Sequence, residues 1–327
     1  MLEKPKMSSS ELGALWLTYH KKSMILRMLE YFIEKSDDQE ARDLMSELWN
    51  QLYSKFIEMK TLIENEGAIA PDGFSKEDVN LEAPKLWDNG FDIMFCRILK
   101  EISMSMYVLH LTMSYRQDII KLYRDITEIT EAFYGYFTQY LLDKNLYTRP
   151  TYIMMPKSTD YITDKDYLKG TNILGDKRPL NTIEFGYLYH VVETNITGMQ
   201  LMMGFIQTTK DEEVKKYLTK GKELSKEIIS ETSDILLENN IQPPATPGGT
   251  VTNSTMAPFS EKLMMYCNYL LSGFAIGGGA FSAGFSLRND LIAKNTIFSK
   301  DIFQYQLNGT KLMIDKGWFE EPPKMDL

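Results

Sequence analysis

The sequence predicts an all-α protein built of two four-helix bundles in tandem, and three observations carry that prediction. Apolar residues recur at steps of three and four along most of the chain, the spacing that gives each helix one buried stripe. The pattern of the first half returns in the second. In each half one connection, and only one, is long and rich in Pro, Gly, Asp or Asn.

The repeat is read by placing Glu11-Leu12-Gly13 over Glu184-Phe185-Gly186, an offset of 184 − 11 = 173. Leu12, Leu15, Tyr19, Lys22, Leu26, Leu29 and Ile33 then lie over Phe185, Leu188, Val192, Asn195, Met199, Met202 and Ile206. Asp38-Gln39-Glu40 lies over Asp211-Glu212-Glu213, an acidic turn that opens the second helix of each half. Later the offset is 172: Ser114-Tyr115-Arg116-Gln117-Asp118 lies over Ser286-Leu287-Arg288-Asn289-Asp290, and Leu142-Asp143-Lys144-Asn145 over Ile314-Asp315-Lys316-Gly317. The loss of one residue between the two registers is what divergence after a duplication leaves.

In the first half the helices are expected over 9–36, 38–65, 85–113 and 116–145. The second carries Leu44, Leu48, Leu52, Phe56, Met59 and Ile63; the fourth carries Leu122, Ile126, Ile129, Phe133 and Tyr140. Ser114 and Gln117 fit a capping box opening the fourth helix. Short joints make the first and second helices, and the third and fourth, antiparallel hairpins. The second-to-third connections are long: NEGAIAPDGFSKEDVNLEAP and NNIQPPATPGGTVTNSTMAP. A helix of about 28 residues is about 42 Å long, a distance that about 20 extended residues can span. A crossover running the length of the bundle is the ferritin-like connectivity. The resulting division is a first bundle over 1–156, a linker strap over 157–175 and a second bundle over 176–327. Tyr147, Tyr152, Ile153, Met154 and Met155 suggest that the connecting segment packs on the bundles, so that the chain mimics a dimer.

A net charge of −9 disfavours a nucleic-acid partner, which needs a Lys/Arg surplus to neutralise phosphates, and likewise an anionic membrane surface. Cys96 and Cys267 are the only cysteines; each lies in an apolar helical run and reads as a buried, inert thiol, which suits a cytoplasmic location. The opening residues show no apolar run before a small-residue cleavage site, so no secretory signal is expected. The segment LLSGFAIGGGAFSAGF (270–285) carries no charge, but it falls short of a membrane span. Its counterpart in the first half, Ile98 to Met113, contains Lys100, Glu101 and His110 and reads as amphipathic. No membrane insertion is expected. The five glycines of this third helix of the second half, each costing roughly 0.5–1 kcal/mol against Ala, point either to close packing or to a cavity for a small apolar ligand.

A di-metal site in such a bundle needs Glu-x-x-His from two helices. The histidines are His20, His110 and His190, and none stands three residues after a Glu. The nearest remnant, His190-x-x-Glu193, lies off the buried stripe and reads as a solvent-facing or interface pair; an atypical metal site there is the alternative. Lys22 and Asn195 hold the same stripe position, where an apolar residue is expected. They read as a snorkelling lysine and a satisfied amide, or else as polar groups reaching into a bundle cavity. Glu11 and Glu184 favour the N-terminal dipole of their helices. Arg116-x-Asp118 and Arg288-x-Asp290 read as structural ion pairs. The methionines of 201–203 and 262–265 read as adaptable core filling. No phosphate loop, catalytic triad or CxxC pair is present. No catalytic, cofactor-binding or metal-binding residue is assigned, and no cofactor is expected.

The runs STMAPFSEKLMM (254–265), DKRPLNTIEFG (176–186), GFSKEDVNLEAPKLWD (73–88) and MIDKGWFEEPP (313–323) resemble a family of unknown function from spore-forming bacilli. That family has tandem ferritin-like domains and is similar to the spore coat protein F group. Glu261 stands where the family pattern suggests Asp, and Lys226-Glu227 where it suggests Lys-His. The resemblance implies a ferritin-like fold and an association with sporulation or the spore coat. The expected function is a non-catalytic structural or interaction protein, with protein partners or self-association. The alternatives are an atypical metal-binding protein and a carrier of a small apolar ligand.

Overall fold

The structure, a computed structural model, describes residues 5–170, 177–245 and 250–325. Residues 171–176 of the strap and 246–249 of the second crossover lie outside the described residues. Eight α-helices are described: α1 (Ser9–Lys35), α2 (Gln39–Glu64), α3 (Phe91–Thr112), α4 (Gln117–Asp143), α5 (Thr182–Thr208), α6 (Glu212–Glu238), α7 (Glu261–Phe285) and α8 (Asn289–Asp315). The two registers reappear in the helix ends. From α1 to α5 both ends shift by 173 (182 − 9 and 208 − 35), and from α4 to α8 both shift by 172 (289 − 117 and 315 − 143). In each half the first helix pairs with the second and the third with the fourth, while the second packs on the fourth and the first on the third. Lys55 of α2 bridges Asp125 of α4 at 2.8 Å, and Lys144 after α4 bridges Asp38 before α2 at 2.9 Å. These two pairs, at opposite ends, make α2 and α4 antiparallel.

Helix α3 begins at Phe91 and not at 85, for a physical reason. Asn89 and Gly90 have positive φ, and residues 78–88 pair with the crossover of the other half. Asn80 N–H donates to Pro258 O (2.8 Å) and Thr252 N–H to Leu86 O (2.9 Å); Asp88 N–H donates to Thr250 O (3.0 Å) and Ser260 N–H to Asp78 O (3.1 Å). Single antiparallel bridges join Val79 to Phe259 and Trp87 to Val251. Adding or subtracting 172 turns each of these contacts into its partner. That is the relation of an isologous two-fold interface, in which i meets j and j meets i. The chain is therefore an internal pseudo-dimer. The helix contacts agree, since α1 touches α7 and α3 touches α5.

Around this axis Phe32, Trp87, Phe91 and Phe95 of the first half share one apolar core with Phe205 and Phe259 of the second. Trp87 donates its indole N–H to Gln200 O at 3.0 Å, and its ring lies where a Cβ on Gly204 would stand. The connecting segment does not pack as expected. Tyr147 is held, but Tyr152 is 78% exposed and Met154 89%, and Ile153 and Met155 are exposed as well.

Two carboxylates lock the hairpins of the repeat together. Glu11 Oε2 completes a capping box with Ser8, and its Oε1 accepts from the backbone N–H groups of Tyr115 (2.8 Å) and Arg116 (2.7 Å). Glu184 repeats the device with Asn181 and with Leu287 and Arg288 (both 3.0 Å), and adds a paired contact to Arg178. The role of these acids thus extends beyond the dipole of their own helix. The capping box expected from Ser114 and Gln117 is not formed: Ser114 Oγ donates to His110 O, and Glu11 takes the amides ahead of α4 instead. Arg116–Asp118 and Arg288–Asp290 form the expected ion pairs, at 2.8 and 2.7 Å.

Candidate functional site

A cavity of about 610 Å³ opens between α5, α7 and α8 and extends to α1 and α3 of the first half. Its floor is α7, where Gly273, Gly277, Gly278 and Gly279 replace side chains. A Cβ on Gly277 or Gly278 would meet nothing within 4 Å. The walls are Leu17, Ile102, Met106, Val191, Phe274, Phe298 and Ile302, and exposed Leu109 and Phe281 stand at the rim. The amides that face it already spend a donor on a helix backbone: Asn195 on Val191 O (2.8 Å), Asn295 on Leu291 O (2.9 Å) and Gln306 on Tyr269 O (3.0 Å). What remains is an apolar hollow of the size that small-molecule sites occupy.

The two copies differ at the positions that surround this hollow. On the repeat registers Lys21, Lys22, Lys100 and Tyr107 correspond to Thr194, Asn195, Ser272 and Gly279 (offsets 173, 173, 172 and 172). Four large side chains that fill the first bundle give way to four smaller ones in the second. In the first bundle Lys21, Lys22 and Lys100 are buried, and so is Tyr107. Lys22 therefore does not snorkel. The stretch Ile98 to Met113 is not simply amphipathic either, since Lys100 and His110 are buried and Glu101 is largely covered. Burial pushes Lys100 down to about 8. Burial, and then the neighbouring lysines, hold Lys21 and Lys22 well below the usual range.

The histidines do not converge. His20 lies 3.7 Å from Glu320, and His110 Nδ1 lies 2.9 Å from Thr18 Oγ1. His190 lines the cavity and approaches Glu101 at 3.7 Å. Glu193 is buried at the interface of the halves, where it accepts from the Tyr147 hydroxyl at 2.9 Å. Arg97 lies among these groups, 2.9 Å from Glu101 and stacked over Tyr147. Its guanidinium supplies the positive charge there. Burial raises Glu101 and Glu193 each to about 7, with Arg97 opposing. Among the described residues no group of three or more His, Cys, Asp and Glu could hold a metal ion. Cys96 and Cys267 are buried thiols. Among the described residues no helix is long and apolar enough to cross a membrane.

Sequence reasoning flagged Lys22, Asn195 and the Gly-rich helix, but it missed Lys21, Lys100 and Arg97. The available signal was the comparison of copies at those positions, where Lys100 stands over Ser272.

The fold and site together define a duplicated four-helix-bundle protein with an internal two-fold and an apolar cavity. The family described as a protein of unknown function, DUF3231, matches it twice, over residues 1–158 and 168–326, and the chain belongs to that family. A comparison with curated proteins finds no match. The crystal structure of a "putative spore coat protein" from Bacillus halodurans is similar over 46% of this chain and 98% of its own, at 20% identity and a TM-score of 0.43. A likeness of that size carries no argument about this chain.

Proposed function

We propose that the protein is a non-catalytic binding scaffold that holds a small apolar molecule between its two bundles. The observation that carries this reading is the cavity over Gly277 and Gly278. A helix that gives up side chains over three consecutive positions loses packing and propensity together, and close backbone contact does not account for Gly277 or Gly278, whose Cβ positions are open. The sporulation or spore-coat setting implied by the sequence resemblance is proposed for the protein as a whole, with protein partners or self-association. The exposed Tyr152, Met154 and Tyr161 between the bundles suit such contacts.

The cavity is tested with the neutral fluorescent probe N-phenyl-1-naphthylamine. Wild-type protein should bind one equivalent, and Gly278→Leu, which fills open space, should weaken binding by about tenfold or more, that is about 1.4 kcal/mol, with an unchanged helical spectrum. No binding to the wild type, or equal binding to the variant, would overturn the reading.

A further inference from the structure

Three lysine side chains of the first bundle end in one apolar core with no acid among them. Lys21 and Lys22 on α1 and Lys100 on α3 are 1%, 0% and 1% exposed. Lys22 Nζ has no hydrogen-bond partner. Lys21 Nζ meets the sulfur of Met106 at 3.5 Å, a weak acceptor. Both amines lie over the Tyr107 ring, 3.9 and 5.0 Å from its centroid. The titratable groups that act on the three, or are acted on by them, are one another, Lys55, the Cys96 thiol and His110, which burial and then Lys21 lower. Buried ammonium groups are ordinarily paired or bound to a ligand, and here Lys22 Nζ has no acceptor and Lys21 Nζ only a thioether.

The cluster backs onto the cavity. Leu17, one turn before Lys21, lines the cavity, and so does Met106, whose sulfur lies 3.5 Å from Lys21 Nζ. Met106 is unbranched, with a flexible thioether, and it is the side chain that stands between cavity and cluster.

We propose that cavity and lysine cluster form one site for a long-chain carboxylate, with the alkyl chain in the cavity and the carboxylate passing Met106 to pair with Lys21 and its neighbours. This rests on the cavity reading above and names its ligand class. A carboxylate brings two oxygens with about four lone-pair positions, the acceptors that the amines lack. Burial holds these amines below their usual range; an arriving anion raises them again, so binding takes up protons from solution.

The experiment compares dodecanoate with dodecanol on the delipidated full chain at pH 8, by calorimetry in two buffers of different ionisation heat. Dodecanoate should bind about tenfold tighter or better, about 1.4 kcal/mol, with net proton uptake that dodecanol does not show. Lys21→Met should abolish the preference and leave dodecanol binding intact; Lys22→Met, a second variant, should lower the proton uptake. If acid and alcohol bind alike, with no uptake and no effect of either variant, the lysines lie outside the site and this inference falls while the cavity reading stands. If neither ligand binds, both fall.

Discussion

Replacing Lys100 by Met tests the energetic reading of the buried amines most directly. Lys100 is 1% exposed, and burial pushes it from the usual 10.5 down to about 8. Its folded value lies below its unfolded value, so between about pH 8 and 10.5 the unfolded chain binds more protons, and at neutral pH, where both states carry the charge, burying it works against folding. At 1.36 kcal/mol per tenfold change in proton affinity, the penalty is on the order of 3 kcal/mol below pH 8. It fades as pH rises from 8 towards the unfolded value of 10.5. Methionine has similar length and no charge, so Lys100→Met in ligand-free protein should gain about 2–3 kcal/mol at pH 7, after a modest allowance for repacking. The assay is urea unfolding at pH 7 and pH 10, comparing midpoints at constant m-value. The gain should be largest at pH 7 and mostly gone at pH 10. Destabilisation at pH 7, or an equal gain at both pH values, would refute the account of an unpaired buried amine.

Gly204→Ala should destabilise by about 1–3 kcal/mol in the same assay. The new Cβ would come 2.4 Å from Trp87 Cζ2, and that ring is held by its bond to Gln200 O and its stack on Phe91. Glu184→Gln should cost about 3 kcal/mol at pH 7, because it breaks a covered carboxylate–guanidinium pair and weakens acceptance from the amides ahead of α8. Burial raises Glu184, but Arg178 and the backbone amides of Asn181 and Leu287 outweigh it and hold the group below the usual carboxylate range. Its stabilisation is therefore present above about pH 4.3 and lost as pH falls through the folded value. The difference between wild type and variant should shrink below pH 4; a constant difference would argue against an ionised Glu184.

Much of the fold was legible because the chain states it twice. The first helix, expected over 9–36 and found at Ser9–Lys35, follows from one apolar stripe read in two copies. The crossovers were visible as long polar connections, but their pairing was not. Backbone bonds such as Asn80 to Pro258 O join residues 178 positions apart (258 − 80) and leave no periodic trace in side chains. The reach of Glu11 to Tyr115 and Arg116 was hidden likewise: an acid in a first turn looks the same whether it serves one helix or two. Lys100 and Glu101 were misread, and Lys21 passed over, for a different reason. A charge on a helix normally marks the solvent face, and only the bundle's interior, assembled in three dimensions, shows these side chains covered. The cavity did leave a signal. Five glycines in α7 lower helix propensity for no local reason, and that contradiction marked the place.

The pattern of divergence bears on what the duplication became. Both copies keep the parts that build the scaffold: Glu11 and Glu184, the Arg-x-Asp turns, and the paired crossovers. They differ at the centre, where Lys21, Lys22, Lys100 and Tyr107 face Thr194, Asn195, Ser272 and Gly279 in the register of the repeat. Neither set serves stability. Unpaired buried amines oppose folding, and a hollow forfeits the dispersion contacts that packing would supply. A scaffold under selection for stability alone would have filled both centres with Leu or Phe, as the shared core around Phe32 and Phe205 is filled. Two departures from good packing, one rich in donors and one rich in space, meet across Met106. Their adjacency is the physical ground for reading them as halves of one binding site, made by a duplicated bundle that kept its frame and specialised each interior.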